Sequence, residues 1–244
     1  MRWRSWAVLA VVIGGFLAID TNLWWLFRRV AADTRGLERA IWVGVLGYLP
    51  AFLVVVALTA LVTGPRRVMA ALGLCAPGLR TLGFVLACTA PLPLVYGLAG
   101  KWEGGPGAVP DLLRFALFPG IMEEILYRGF LFGLIYRVVG WGFVPTALLC
   151  AAVFATGHLY QSRDPLEMAM IVGVTVVAGV WWAWLYVRWG FDLWVPIGFH
   201  VLMNGWFVVF DVGDRAAGTV LSVGVRLAVV ILSVVLTLRL RPLR

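Results

Sequence analysis

The chain has 244 residues, 62% of them hydrophobic and only 13% charged, and its apolar runs are each about long enough to cross a bilayer. They follow one another so closely that no sizeable soluble domain fits between them, so the composition predicts a polytopic membrane protein. The formal net charge of +8 gathers at the ends of those runs, which is the pattern of interfacial anchoring and excludes a nucleic-acid surface.

Hydrophobic runs between charged or Gly/Pro-rich breaks predict about eight spans in an all-α membrane helix bundle. They lie near residues 5–27, 40–62, 81–100, 112–137, 142–159, 168–187, 191–210 and 219–238. The first, in "MRWRSWAVLAVVIGGFLA", has the basic start of a signal peptide but no clear small-x-small cleavage site. Apolar character resumes at "LWWLF", so a retained span is expected. Cys75, Cys88 and Cys150 are odd in number, widely spaced and set in or beside apolar segments, where they are expected to pack as small hydrophobes. The 28 glycines suit close helix approach in lipid, where packing drives association. With eight spans the termini share a side, and the distribution of basic residues favours that side as the cytoplasmic one.

The fourth run contains "FPGIMEEILYRGFLFG", residues 118–133, with three charges in an otherwise apolar stretch. A charged side chain near a bilayer centre costs on the order of 2.5 to 3.5 kcal/mol, so Glu123, Glu124 and Arg128 require compensation. Glu124 and Arg128 are four apart on one helical face and can pair, whereas Glu123 lies about 100° around the helix and needs a partner from elsewhere. The chain's two histidines also lie in or beside apolar runs, each with a companion four residues away: Phe154 and His158 in "FATGH", His200 and Asn204 in "HVLMN". Singly, such residues serve as interhelical hydrogen-bonding contacts. Together they are most cheaply satisfied by meeting around one hydrated cavity.

A carboxylate, a water and an oxyanion site suffice to hydrolyse a peptide bond, and two imidazoles with a carboxamide can polarise a carbonyl or, for the imidazoles, bind a metal. The spacing leaves open which glutamate would act as base. Competing chemistry lacks its motifs: two distant histidines exclude H-E-x-x-H, and there is neither G-x-S-x-G nor a nucleotide-binding glycine loop. Pro119 and Pro196 stand four residues before Glu123 and His200, as kinks that admit water or as ordinary bends and helix starts.

"EEILYR", "FATGH" and "HVLMN" resemble the E-E-x-x-x-R, F-x-x-x-H and H-x-x-x-N motifs of the CPBP intramembrane proteases. That family includes the type II CAAX prenyl endopeptidases and bacteriocin-processing or self-immunity proteins. The resemblance covers roughly residues 110–210. It implies that Glu123 activates the attacking water with His158, that Glu124 and Arg128 hold the site in register, and that His200 with Asn204 supports the oxyanion. Phe154 shapes the pocket. Pairing of Glu124 with Arg128 favours Glu123 as the base.

On this reading residues 1–110 are N-terminal membrane helices of about three spans, 111–210 are the catalytic core, and 211–244 form a C-terminal span and basic tail, all in one membrane domain. The expected partners are the lipid bilayer and a peptide or protein substrate reached within it, with no nucleic acid. The preference for Arg over Lys points to a bacterial cell membrane. The family's metalloprotease label would assign zinc to Glu123, His158 and His200. That set leaves no general base, so no cofactor is expected. Two other classes compete: a catalytically silent binding or immunity protein, and a proton-coupled transporter, which intramembrane Glu, His and Arg residues also serve.

Overall fold

The computed structural model describes residues 3–30, 34–211 and 219–240. The end of the expected basic tail, residues 241–244, lies outside the described residues. Among the described residues, eight long helices make up the fold. They are α1 (Trp3–Val30), α2 (Gly36–Thr63), α3 (Leu79–Ala99), α4 (109–139), α5 (Phe143–Thr156), α6 (Pro165–Arg188), α7 (Trp194–Val209) and α8 (Val220–Leu240). Helices α2, α3, α6 and α8, and the α5 stretch continued to Gln161, are the five that are long and apolar enough to cross a membrane. The described apolar stretch of α1, Ser5–Ile19, and the 16-residue α7 are shorter. Helix α4 carries Glu123, Glu124 and Arg128 in its middle.

Local chemistry sets the helix ends. Asp164 caps α6 by accepting from the Glu167 amide at 2.8 Å, Glu167 takes the Ser162 hydroxyl at 2.7 Å, and Pro165 fills the first helical position, where no backbone donor is needed. Gly140, in the left-handed conformation at φ +83°, ends α4. Pro196 falls in the first turn of α7, so it starts this helix and does not kink it.

The turn between α6 and α7 is partly buried and held by three hydrogen bonds. Leu193 donates its amide to the Gly73 carbonyl at 3.0 Å. Asp192 accepts the Thr81 hydroxyl at 2.6 Å and the Trp194 amide at 3.0 Å. Gly73 has φ +78°, and a Cβ there would stand 2.3 Å from the Phe191 carbonyl oxygen, so only glycine lets this turn seat.

Small residues mark the helix crossings. A Cβ on Gly120 of α4 would meet Val201 of α7 at 2.5 Å, and one on Gly179 of α6 would meet Ala151 of α5 at 2.9 Å. Buried hydroxyls of α8 accept from two tryptophan indoles, Ser233 from Trp181 of α6 and Thr237 from Trp189 just after it, both at 3.0 Å. At the far end of the bundle, Lys101–Trp102 and Phe210–Asp211 form a two-residue antiparallel pairing that joins the exits of α3 and α7. Cys88 and Cys150 are buried as expected, whereas Cys75, in the loop between α2 and α3, is exposed.

Candidate active site

Helix α4 is irregular where it carries the charges. Widened i→i+5 turns occupy Leu112–Leu117 and Glu124–Phe132, and a short α-helical segment, Phe118–Glu123, separates them. Pro119 has no N–H to return to the carbonyl of Phe115 four residues earlier. That carbonyl instead accepts the Asn204 amide from α7 at 3.0 Å. One amide hydrogen of Asn204 is therefore used to tie α7 to α4 beside the Gly120–Val201 crossing.

One turn further on, Glu124 is fully buried at 0% exposure and Arg128 nearly so at 2%. Oxygen Oε1 of Glu124 accepts two bonds, from Arg128 Nη1 at 3.0 Å and from His200 Nδ1 at 2.8 Å. A carboxylate held by a guanidinium can only accept, so Nδ1 of His200 carries the hydrogen. Its Nε2 lies on the opposite edge of the ring. The guanidinium of Arg128 lies between two aromatic faces, its Cζ 4.4 Å from the centroid of Phe154 and 5.0 Å from that of Trp182.

His158 stands just beyond the end of α5, where the helix tightens and its amide bonds to the Ala155 carbonyl at 3.0 Å. The Phe154 carbonyl, relieved of that amide, accepts from His158 Nδ1 at 2.9 Å. Because a carbonyl cannot donate, Nδ1 again carries the hydrogen and Nε2 presents a lone pair. The F-x-x-x-H spacing thus has a structural reason on both ends of Phe154: its carbonyl fixes the imidazole and its ring packs on Arg128 and, edge to face, on His158 at 4.6 Å.

The structure therefore joins Glu124, Arg128, Phe154, His158 and His200 by direct contact across α4, α5 and α7. Glu123 is half-buried and lies within electrostatic reach of His158, His200 and Arg128, with no hydrogen bond or ion pair to a described residue. Asn204 bonds to Phe115 and not to the other named side chains. Two features were not anticipated from the sequence, the bond from His200 to Glu124 and the place of Trp182 on α6. Both arise between helices distant in the chain and leave no mark on local spacing. Among the described residues no group of three His, Cys, Asp or Glu side chains is arranged to hold a metal ion. The metalloprotease reading therefore finds no donor cluster among the described residues.

Residues 105–206 match a family model described as type II CAAX prenyl endopeptidase Rce1-like. The matched stretch runs from just before α4 into α7 and includes every residue placed in the site above. No curated protein and no solved structure matches the chain. Over residues 105–206 the chain is similar to the type II CAAX prenyl endopeptidases, and this match supports a membrane protease of the CPBP family.

Proposed function

We propose that this protein is a multi-pass intramembrane endopeptidase that hydrolyses a peptide bond with water activated by Glu123. The observation that carries the proposal is the division of labour between adjacent glutamates: Glu124 is consumed by Arg128 and His200, while Glu123 keeps a carboxylate with no such bond beside both histidines. In the reaction Glu123 takes a proton from a water that also donates to His158 Nε2. The water oxygen bonds to the substrate carbonyl carbon, and the carbonyl electron pair moves to oxygen. His200 Nε2–H and the second amide hydrogen of Asn204 receive that oxyanion. In this step both ring nitrogens of His200 carry hydrogen, one bonded to Glu124 and the other to the oxyanion. The proton on Glu123 then passes to the amide nitrogen, the C–N bond breaks, and an acid and an amine leave.

All eight long helices serve as spans in this proposal, with residues 111–210 as the catalytic core in a cell membrane. The substrate is a peptide or protein segment reached within the bilayer. The test compares membrane-peptide fragments from cells bearing the wild-type chain with those from cells bearing Glu123→Gln. Fragments present only with the wild type, at equal protein abundance, are expected. Identical fragment sets would refute the protease reading in favour of a silent binding protein.

A further inference from the structure

We propose that Trp182 is a positioning residue that sets the orientation of the His200 imidazole, making α6 a fourth wall of the site although it carries none of the three motifs. Its ring lies flat on that of His200, with centroids 4.6 Å apart and planes within 22°. A hydrogen bond at one edge, from His200 Nδ1 to Glu124, fixes one point of the imidazole and leaves the ring free to swing about that bond. A face contact removes the remaining freedom. Together the two contacts aim Nε2, at the opposite edge, in one direction.

The same indole stands over Arg128, so one side chain touches both groups that share Glu124 Oε1. Trp182 is itself fixed by its helix. Gly179, three residues before it on the same face, lets α6 close onto Ala151 and leaves room for Arg128 Nη2, 3.6 Å from where a Cβ would be. The neighbouring Trp181 anchors α6 to α8 through Ser233. At 6% exposure Trp182 also looks like an ordinary core residue. What separates the two roles is whether an apolar side chain without a flat ring can replace it.

The consequence for catalysis rests on the protease reading, but the orientation of His200 can be measured without it. The chain has only two histidines, so protein carrying isotope-labelled histidine gives two sets of ring resonances, assigned with His158→Gln. In the wild type the His200 ring protons are expected upfield of their normal position, from the ring current of the stacked indole. Absence of that shift overturns the proposal without any variant. In Trp182→Leu the upfield shift and the Nδ1 proton signal bonded to Glu124 are expected to weaken, with His158 unchanged, and fragment release to fall about tenfold or more. Trp182→Phe, which keeps a flat ring, is expected to retain the shift in part and to restore most of the release. A Leu variant that releases fragments at the wild-type rate, or a Phe variant as impaired as Leu at equal abundance, would also overturn it. If Glu123→Gln leaves the fragments unchanged, the protease reading fails while the resonance measurements still decide the role of Trp182.

Discussion

Arg128 illustrates how one side chain can have several partners that the sequence discloses only in part. Its pairing with Glu124 is readable from the i, i+4 spacing, and the structure has it buried at 3.0 Å. Its two aromatic faces, Phe154 and Trp182, come from α5 and α6, and no periodicity along α4 announces them. Removing one partner of a buried pair leaves an uncompensated charge, so Arg128→Ala is expected to cost on the order of 3 to 5 kcal/mol and to reduce folded protein in the membrane. Arg128→Lys keeps the charge but loses the planar fork that both stacks and bonds, and is expected to recover only part of that loss. Glu123→Gln should leave abundance intact. Quantifying folded protein in membranes for the three variants tests the assignment, which fails if Arg128→Ala accumulates normally. The arrangement of donors at the same residues makes a second prediction. Exhaustive chelation of purified protein is expected to leave fragment release unchanged; stoichiometric zinc, with release lost on its removal and regained on its return, would decide for a metalloenzyme.

At the scale of helices, the site depends on how closely α4 and α7 cross. The long helices of the described residues fall on the apolar runs seen in the sequence, five of them long and apolar enough to cross a membrane, because length and apolarity are properties of each segment alone. Their irregularities are collective. The widened turns of α4, the Phe115 carbonyl given to Asn204, and the start of α7 at Trp194 after a pinned turn all depend on neighbours. Pro119 and Pro196 were visible in the sequence, yet only the packing distinguishes them. Pro196 begins a helix, whereas Pro119 frees a carbonyl for another helix to use. A Cβ at residue 120 would stand 2.5 Å from Val201 Cγ2 and 3.0 Å from the Val201 amide nitrogen, and the backbone atom cannot swing aside. Gly120→Ala is therefore expected to push α7 from α4, destabilise the protein by about 1 to 3 kcal/mol, and stretch the bond from His200 to Glu124. Gly83→Ala in α3, with nothing within 4 Å of its Cβ position, is expected to be neutral or to stabilise by about 0.5 to 1 kcal/mol. Thermal unfolding of both variants in one detergent or nanodisc checks the contrast, and equal behaviour would mean that the crossing tolerates a methyl group.

The whole molecule has two electrostatically different ends. Arg137 of α4 reaches the Ala71 carbonyl at 2.9 Å, Arg80 of α3 reaches the Leu240 carbonyl of α8 at 2.8 Å, and the turn after α6 bonds to Gly73. These contacts gather Arg66, Arg67, Arg80, Arg137, Arg188 and Arg239 at one end, where Asp192 is the only acid among the described residues. The opposite end, where α3 and α7 exit through their short strand pairing and the start of α2 meets α4, has a balanced set. There Arg35, Arg39, Lys101, Arg114, Arg163 and Arg226 are matched by Glu38, Glu103, Asp111, Asp164, Glu167 and Asp211. The sequence alone tilts only weakly toward this polarity, because Arg28, Arg29, Arg35 and Arg39 count against it. By the positive-inside rule the arginine-rich end is expected to face the cytoplasm. The chain supplies its own reporter: Cys75 is exposed in the loop at that end, while Cys88 and Cys150 are buried and act as internal controls. A membrane-impermeant maleimide is expected to leave the protein unlabelled in intact cells and to label Cys75 once the membrane is permeabilised, with Cys75→Ser abolishing the signal. Labelling of Cys75 in intact cells would reverse the orientation and turn the arginine-rich end outward.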